Sequence, residues 1–216
     1  YKGTIMTKIK GPSTFVSEAY QLDDEVDSVE FYKKWADDYD HQMLVKLEYV
    51  APIGIARLLC EFLPNKESEI FDVGCGTGLT CRFLADNGYQ ALDGIDLSPD
   101  MVRVASEQGI YRDLIVGDVN VTIQRDSSSY DGVISSGTFT HGHVGPEPLD
   151  DIFRILRPGG VLACTVHKDL WTSRGFKQKL DSLVNEGQAR CLHLQKDKYY
   201  ETDNIDGWFC VYQKVS

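Results

Sequence analysis

Residues 71–78 read FDVGCGTG, with glycines at the alternate positions 74, 76 and 78, a carboxylate (Asp72) just before the first, and no Lys or Arg. Glycines so spaced let backbone approach a ligand closely. Asp96 closes the next apolar run, about twenty residues on, where an acidic group can accept from both hydroxyls of a ribose. Asp118 closes a third run. His141 and His143 stand in SSGTFTHGHVGPEP, after a fourth. The chemistry within reach is nucleoside binding by loop backbone and carboxylates, with imidazole groups that titrate near neutral pH and could serve as bases.

Three ligand classes compete for the loop. A phosphate loop needs G-x-x-x-x-G-K-[ST], with a lysine that this stretch lacks. A dinucleotide site needs G-x-G-x-x-G or A; here Leu79 holds the place of the last small residue, which weakens that reading without eliminating it. S-adenosylmethionine carries a sulfonium cation beside an amino acid and no phosphate, so a loop without basic residues suits it. On that reading Asp72 meets the ammonium side of the methionine portion, directly or through water. Gly74, Cys75 and Gly76 offer bare backbone, with Cys75 a small residue rather than a nucleophile. Asp96 holds the ribose, and Leu97 and Met101 flank the adenine. Asp118 accepts from the adenine amino group, the Val119 N–H faces a ring nitrogen, and Ser135 and Ser136 border the methionine portion. Each has a plainer alternative: the glycines could only shape a turn, Asp118 could be a turn residue, and the two histidines could support their loop.

The elements that must position these groups follow from periodicity. EIFDV, ALDGID, DLIVGDV, YDGVISS and VLACTVH read as buried strands. Between them lie the helical stretches GLTCRFLADNG, a helix capped by Ser98 with Pro99 in its first turn, and PLDDIFRIL closed by Arg157-Pro158-Gly159-Gly160. GFKQKLDSLVNEG is a further helix, and RCLHLQKDKYY and GWFCVYQKV are two closing strands. Strand–helix alternation predicts an α/β, doubly wound, mostly parallel sheet; the short link between the last two strands predicts an antiparallel edge hairpin. Before Glu69, residues 1–27 read as an arm. Val29, Tyr32, Ala36, Tyr39 and Met43 follow helical spacing, and PIGIARLLCEFL forms a second helix. The expected division is 1–66, arm and N-terminal helices, and 67–216, the ligand-binding domain.

Composition sets the outer bounds. At 216 residues, 42% hydrophobic and 25% charged, the chain suits one globular domain with a small N-terminal addition. A net charge of -11 argues against tracking a nucleic-acid backbone, so no nucleic-acid partner is expected. Six scattered cysteines without C-x-x-C pairing suggest reduced thiols and an intracellular, cytoplasmic setting. No apolar run approaches the ~20 residues that span a bilayer, so no membrane partner is expected. Asp131 begins its strand rather than ending it, and no metal is expected.

DVGCGTG, GIDLSPDM, VGDV, YDGVISSG and LRPGG, in this order over roughly residues 67–170, resemble the class I S-adenosylmethionine-dependent methyltransferases. The resemblance implies a seven-stranded Rossmann-like sheet with its last strand inserted antiparallel. FYKKWADDYDHQMLVKLEYVAP, residues 31–52, is similar to the methyltransferase-like proteins of the Williams–Beuren syndrome chromosomal region, and implies an N-terminal helical lid in which Tyr39, with Trp35 and Tyr32, covers the cofactor. The implied reaction is an in-line displacement in which an acceptor N, O or S atom takes the sulfonium methyl and leaves S-adenosylhomocysteine. The run after the fourth strand lacks the Asp/Asn-Pro-Pro-aromatic pattern of many amide and nucleobase N-methyltransferases, and the Pro-Cys of cytosine-carbon enzymes. A small-molecule acceptor is expected, with a protein acceptor or a non-catalytic cofactor-binding module as alternatives; the acceptor atom and the oligomeric state stay open.

Overall fold

The computed structural model describes Met43 and residues 48–140, 144–201 and 205–216. Trp35, Tyr39, His141 and His143, and with them the expected lid helix, lie outside the described residues. The first helix described, α1 (Ala51–Phe62), carries Pro52 in its first turn, where the missing N–H has no bond to lose. Ala51, Ile55 and Leu59 recur at helical spacing and bury one face; the helix ends where Leu63 N donates to Leu59 O, ahead of Pro64.

The strands are β1 (Ile70–Val73), β2 (Leu92–Asp96), β3 (Asp113–Val116), β4 (Tyr130–Phe139), β5 (Leu156–His167), β6 (Ala189–Lys198) and β7 (Asp206–Lys214). They form one seven-stranded sheet in the order β3-β2-β1-β4-β5-β7-β6. β1 to β5 pair in parallel, and β7 lies antiparallel between β5 and β6. The expected mostly parallel sheet with an antiparallel hairpin at one edge is therefore present.

Between the strands run α2 (Leu79–Asp86), α3 (Pro99–Glu107), α4 (Pro148–Ile155), a four-residue turn α5 (Leu170–Ser173) and α6 (Phe176–Asn185). Strand side chains alternate between two apolar layers. Phe71, Val73, Val133 and Leu162 pack on the α4 and α6 side, while Ile70, Leu92, Ile134 and Ala163 pack on the α1 and α2 side. A sheet covered on both faces needs continuous apolar strands, which is why β1 reads as a buried run.

Two boundaries differ from those expected. Arg157-Pro158-Gly159-Gly160 does not separate α4 from β5: the helix stops at Ile155, and Leu156 already pairs with Tyr130. A register shift between Tyr130 and Gly132 absorbs this hook, in which Gly159 adopts φ 83° and Gly160 abuts the carbonyls of Arg157 and Asp131. β4 also runs on to Phe139 through a second shift, with Gly137 at φ 75°. The turn α5 was not anticipated; Trp171 stacks on Trp208 at 4.9 Å and fixes it to β7.

At the strand-start edge, Asp131 accepts from Glu69 N (2.9 Å) and pairs with Arg157 (2.8 Å). That edge is opposite the glycine loop, so Asp131 points away from it, as expected. Among the described residues no helix is long and apolar enough to cross a membrane.

Candidate functional site

β1 lies between β2 and β4, so chain connections diverge on either side of it, and ligands of open parallel sheets bind beyond the strand ends at such a point. The glycine loop, Gly74–Gly78, leaves β1 there. Gly74 N and Cys75 N both donate to Ile95 O, at 2.9 and 3.0 Å, tying the loop to the end of β2. Gly74, Gly76 and Gly78 have φ of 69°, 53° and 94°, which favours glycine at each. A Cβ on Gly74 would fall 2.1 Å from Thr138 Oγ1, whereas one on Gly76 would enter open space with nothing within 4 Å.

Asp96 ends β2 beside this cradle. Its Oδ2 accepts from Gly76 N (2.8 Å) and its Oδ1 from Ser98 N (2.9 Å). Burial pushes its carboxyl up, against those backbone donors. The Ser98 side chain caps α3 by accepting from Met101 N (3.3 Å), which holds buried Met101 and half-buried Leu97 next to Asp96. Asp118 follows β3, next to Gly117, whose N–H donates to Asp96 O (2.9 Å). Asp118 Oδ1 accepts from both Asn120 N and Asn120 Nδ2, the turn role set out as its alternative; Val119 beside it is buried.

Ser135 Oγ donates to Val73 O (2.8 Å), and Thr138 Oγ1 donates to the same carbonyl (3.0 Å). Ser136 Oγ is buried and faces the hydroxyl of Tyr49 without a well-aligned hydrogen bond. Tyr49, stacked on Tyr200 at 4.9 Å, brings its hydroxyl against Gly137, and burial pushes it up to about 12. The Cys75 thiol is pushed well up by burial and by the nearby Asp72 and Asp96, which keeps it protonated near neutral pH.

Asp72 is almost fully buried under the loop. Its Oδ2 accepts from the Tyr111 hydroxyl (2.8 Å), while Oδ1 has no hydrogen-bond partner of normal geometry. Burial raises this carboxyl to about 6; Tyr111 and the Cys81 thiol act against the rise and Asp96 adds to it. A folded-state value above the unfolded one means that ionised Asp72 costs stability, in full above about pH 6 and vanishing below the unfolded value near 3.8. Asp72→Asn, uncharged and of the same shape, is expected to stabilise the free protein at pH 7.5 by about 1–3 kcal/mol, or roughly 2–10 °C in Tm. The gain should fade by pH 4.5 in thermal unfolding; a lower Tm at both pH values would contradict it.

The sequence thus placed Asp72, Gly74, Cys75, Gly76, Asp96, Leu97, Met101, Asp118, Val119, Ser135 and Ser136 at the loop or at adjoining strand ends. Tyr111, Thr138 and Tyr49 were missed. Tyr111 precedes β3 and meets Asp72 39 positions away, so no local pattern marks it. His167 is buried, with Nδ1 accepting from Asp169 N (3.3 Å). No cluster of His, Cys, Asp and Glu suited to a metal occurs among the described residues.

The buried Asp72 Oδ1, the open space over Gly76 and the absence of cationic groups in the loop suit an adenosyl sulfonium compound better than a diphosphate. A family profile described as a methyltransferase domain matches residues 71–164. The methyltransferase in a Haloferax volcanii complex with the Trm112 methyltransferase activator superposes with a TM-score of 0.64 over 86% of this chain and 98% of its own, at 21% identity. The chain has the class I S-adenosylmethionine-dependent methyltransferase fold. Methyltransferase-like protein 27 of Homo sapiens is 29% identical over 79% of this chain and 69% of its own length. The 18S rRNA (guanine-N(7))-methyltransferase of Mus musculus is 37% identical over 36% of this chain and 27% of its own. The tRNA U34 carboxymethyltransferase of Cellvibrio japonicus is 27% identical over 71% and 44%. This chain spans less than half of the latter two.

These relatives correct one expectation. Net charge argues against a nucleic-acid acceptor, yet proteins named for modifying rRNA and tRNA are similar to this chain. Net charge is a sum over the chain, whereas nucleic-acid contact answers to the local potential of one surface. The exclusion does not stand.

Proposed function

We propose that this chain transfers a methyl group from S-adenosylmethionine to an N, O or S atom of an acceptor by in-line displacement. The observation that carries the reading is the double grip of Asp96 on Gly76 N and Ser98 N. It fixes a carboxylate at the end of β2, over the first turn of α3, with lone pairs left for two ribose hydroxyls. Asp72 balances the cofactor's ammonium, the glycine loop offers backbone to the methionine portion, and Leu97, Met101, Asp118 and Val119 enclose the adenine. When bound, S-adenosylmethionine supplies the activated methyl group. The protein aligns the acceptor with it and excludes water, a contribution on the order of 7–11 kcal/mol when the geometry is near attack.

A small-molecule acceptor is favoured by the buried tyrosines around the end of β4. Tyr49 and Tyr200 stack there, Tyr199 lies edge-on to Tyr49, and little of any of the three reaches solvent. His141 or His143 would serve as base where the acceptor is protonated, and Tyr39 and Trp35 would cover the methionine end. The 29% identity to a methyltransferase-like human protein supports the narrower likeness to the Williams–Beuren region group.

The test is formation of S-adenosylhomocysteine from S-adenosylmethionine with separate small-metabolite, protein and RNA fractions as acceptors. Turnover with the small-metabolite fraction is expected. Turnover driven by the protein or RNA fraction would replace the acceptor class; cofactor binding with no turnover in any fraction would leave a binding module in place of an enzyme.

A further inference from the structure

Tyr111 stands at a crossing of three elements. Its ring packs against the loop at Gly78 and against β2 at Gly94, where a Cβ at either position would come within 3.2 Å of it. The segment after α3 that carries it also grips the loop: Gln108 Nε2 donates to Thr77 O (3.4 Å), and the Arg82 guanidinium on α2 donates to Gln108. At the centre of this clamp the Tyr111 hydroxyl donates to Asp72 Oδ2. A phenylalanine would fill the same space, so packing does not account for the hydroxyl.

We propose that Tyr111 is a positioning residue for the cofactor's ammonium: its hydroxyl fixes Asp72 as an ionised carboxylate beneath the glycine loop, and the unshared oxygen Oδ1 supplies the negative charge under a cationic amino group lying on that loop. This deepens the methyltransferase reading and rests on it.

The titratable groups that face Asp72 are few. Tyr111 comes from the segment before β3, Cys81 from α2, Cys75 from the loop and Asp96 from the end of β2. Burial raises both thiols and the phenol, so near neutral pH all three are neutral and able to donate. Asp96 repels a second charge. Donation from Tyr111 is the larger of the two side-chain contributions that favour the charged form of Asp72. Without it, a carboxyl this buried would keep its proton near neutral pH and offer an ammonium no charge.

The sign follows. An ammonium favours ionised Asp72, so affinity is full above the free protein's transition, near 6, and falls as pH drops through it. Removing the Tyr111 donor moves that transition upward, into the range where wild type binds at full strength.

The experiment is calorimetry of S-adenosylhomocysteine binding from pH 5 to 8.5 with wild type, Tyr111→Phe and Asp72→Asn. Wild type should bind evenly above about pH 7 and weaken through about pH 6. Tyr111→Phe should shift the transition up by about one to two pH units and raise Kd about two- to tenfold at pH 7.0, as expected for losing a hydrogen bond to a charged group. The deficit should narrow toward pH 8.5. Asp72→Asn should bind weakly throughout with no transition, which tests the charge even where Tyr111→Phe fails to fold. A Tyr111→Phe profile with the wild-type transition, or a transition that persists in Asp72→Asn, overturns the proposal while cofactor binding stands. Absence of wild-type binding at every pH overturns the methyltransferase reading and the proposal with it.

Discussion

Asp96→Ala is expected to weaken S-adenosylhomocysteine binding by on the order of a thousandfold at neutral pH, measured by calorimetry. On the proposed reading the carboxylate accepts two ribose hydroxyls, and hydrogen bonds to a charged group contribute about 1.5–3 kcal/mol each. The same side chain holds Gly76 N and Ser98 N, so its loss also frees the loop and the first turn of α3. Asp96→Asn keeps the shape and one accepting oxygen, and should lose less, about thirtyfold. Unchanged affinity in Asp96→Ala, with the domain still folded, would remove the ribose from this carboxylate.

Gly74→Ala should damage the fold as well as the site. Its φ of 69° costs an L side chain roughly 1–3 kcal/mol. The new Cβ would also meet Thr138 Oγ1, Cγ2 and Cβ at 2.1, 2.8 and 2.9 Å. Rotating Thr138 relieves the first two contacts but not the third, and breaks its bond to Val73 O. Overpacking of this kind adds about 1–3 kcal/mol, so a Tm drop of about 10 °C with no detectable cofactor binding is expected. Gly76→Ala is the control. Its φ of 53° carries the same conformational cost, but its Cβ meets nothing within 4 Å of the protein. It should cost a few degrees while a methyl group fills the cradle and weakens binding sharply. Equal Tm losses in the two variants would contradict this division of labour.

Much of this arrangement was legible in the sequence because it is local. The alternate glycines, the acidic ends of β2 and β3, and the Ser98-Pro99 start of α3 each declare themselves within a few residues. The sheet's parallel body followed from strand–helix alternation, and the edge hairpin from the short link between β6 and β7. Contacts that cross the fold were not legible. Tyr111 reaches Asp72 and Thr138 reaches Gly74 only because separate strand ends converge, and Tyr49 reaches Gly137 from before α1. Arg157-Pro158-Gly159-Gly160 misled in another way. α4 stops at Ile155, ahead of the proline and glycines, and these residues instead shape the bulged entry of β5, since a positive-φ glycine lets the chain hook while Leu156 stays paired. The charge-based exclusion of nucleic acid failed because an average over 216 residues does not describe one face.

The most direct measurement is a pair of calorimetric titrations of the wild-type protein at pH 7.5, one with S-adenosylhomocysteine and one with NADH. The account predicts saturable one-site binding of the adenosyl thioether and no saturable heat from the dinucleotide. Saturable binding of NADH, or none of S-adenosylhomocysteine, would contradict it.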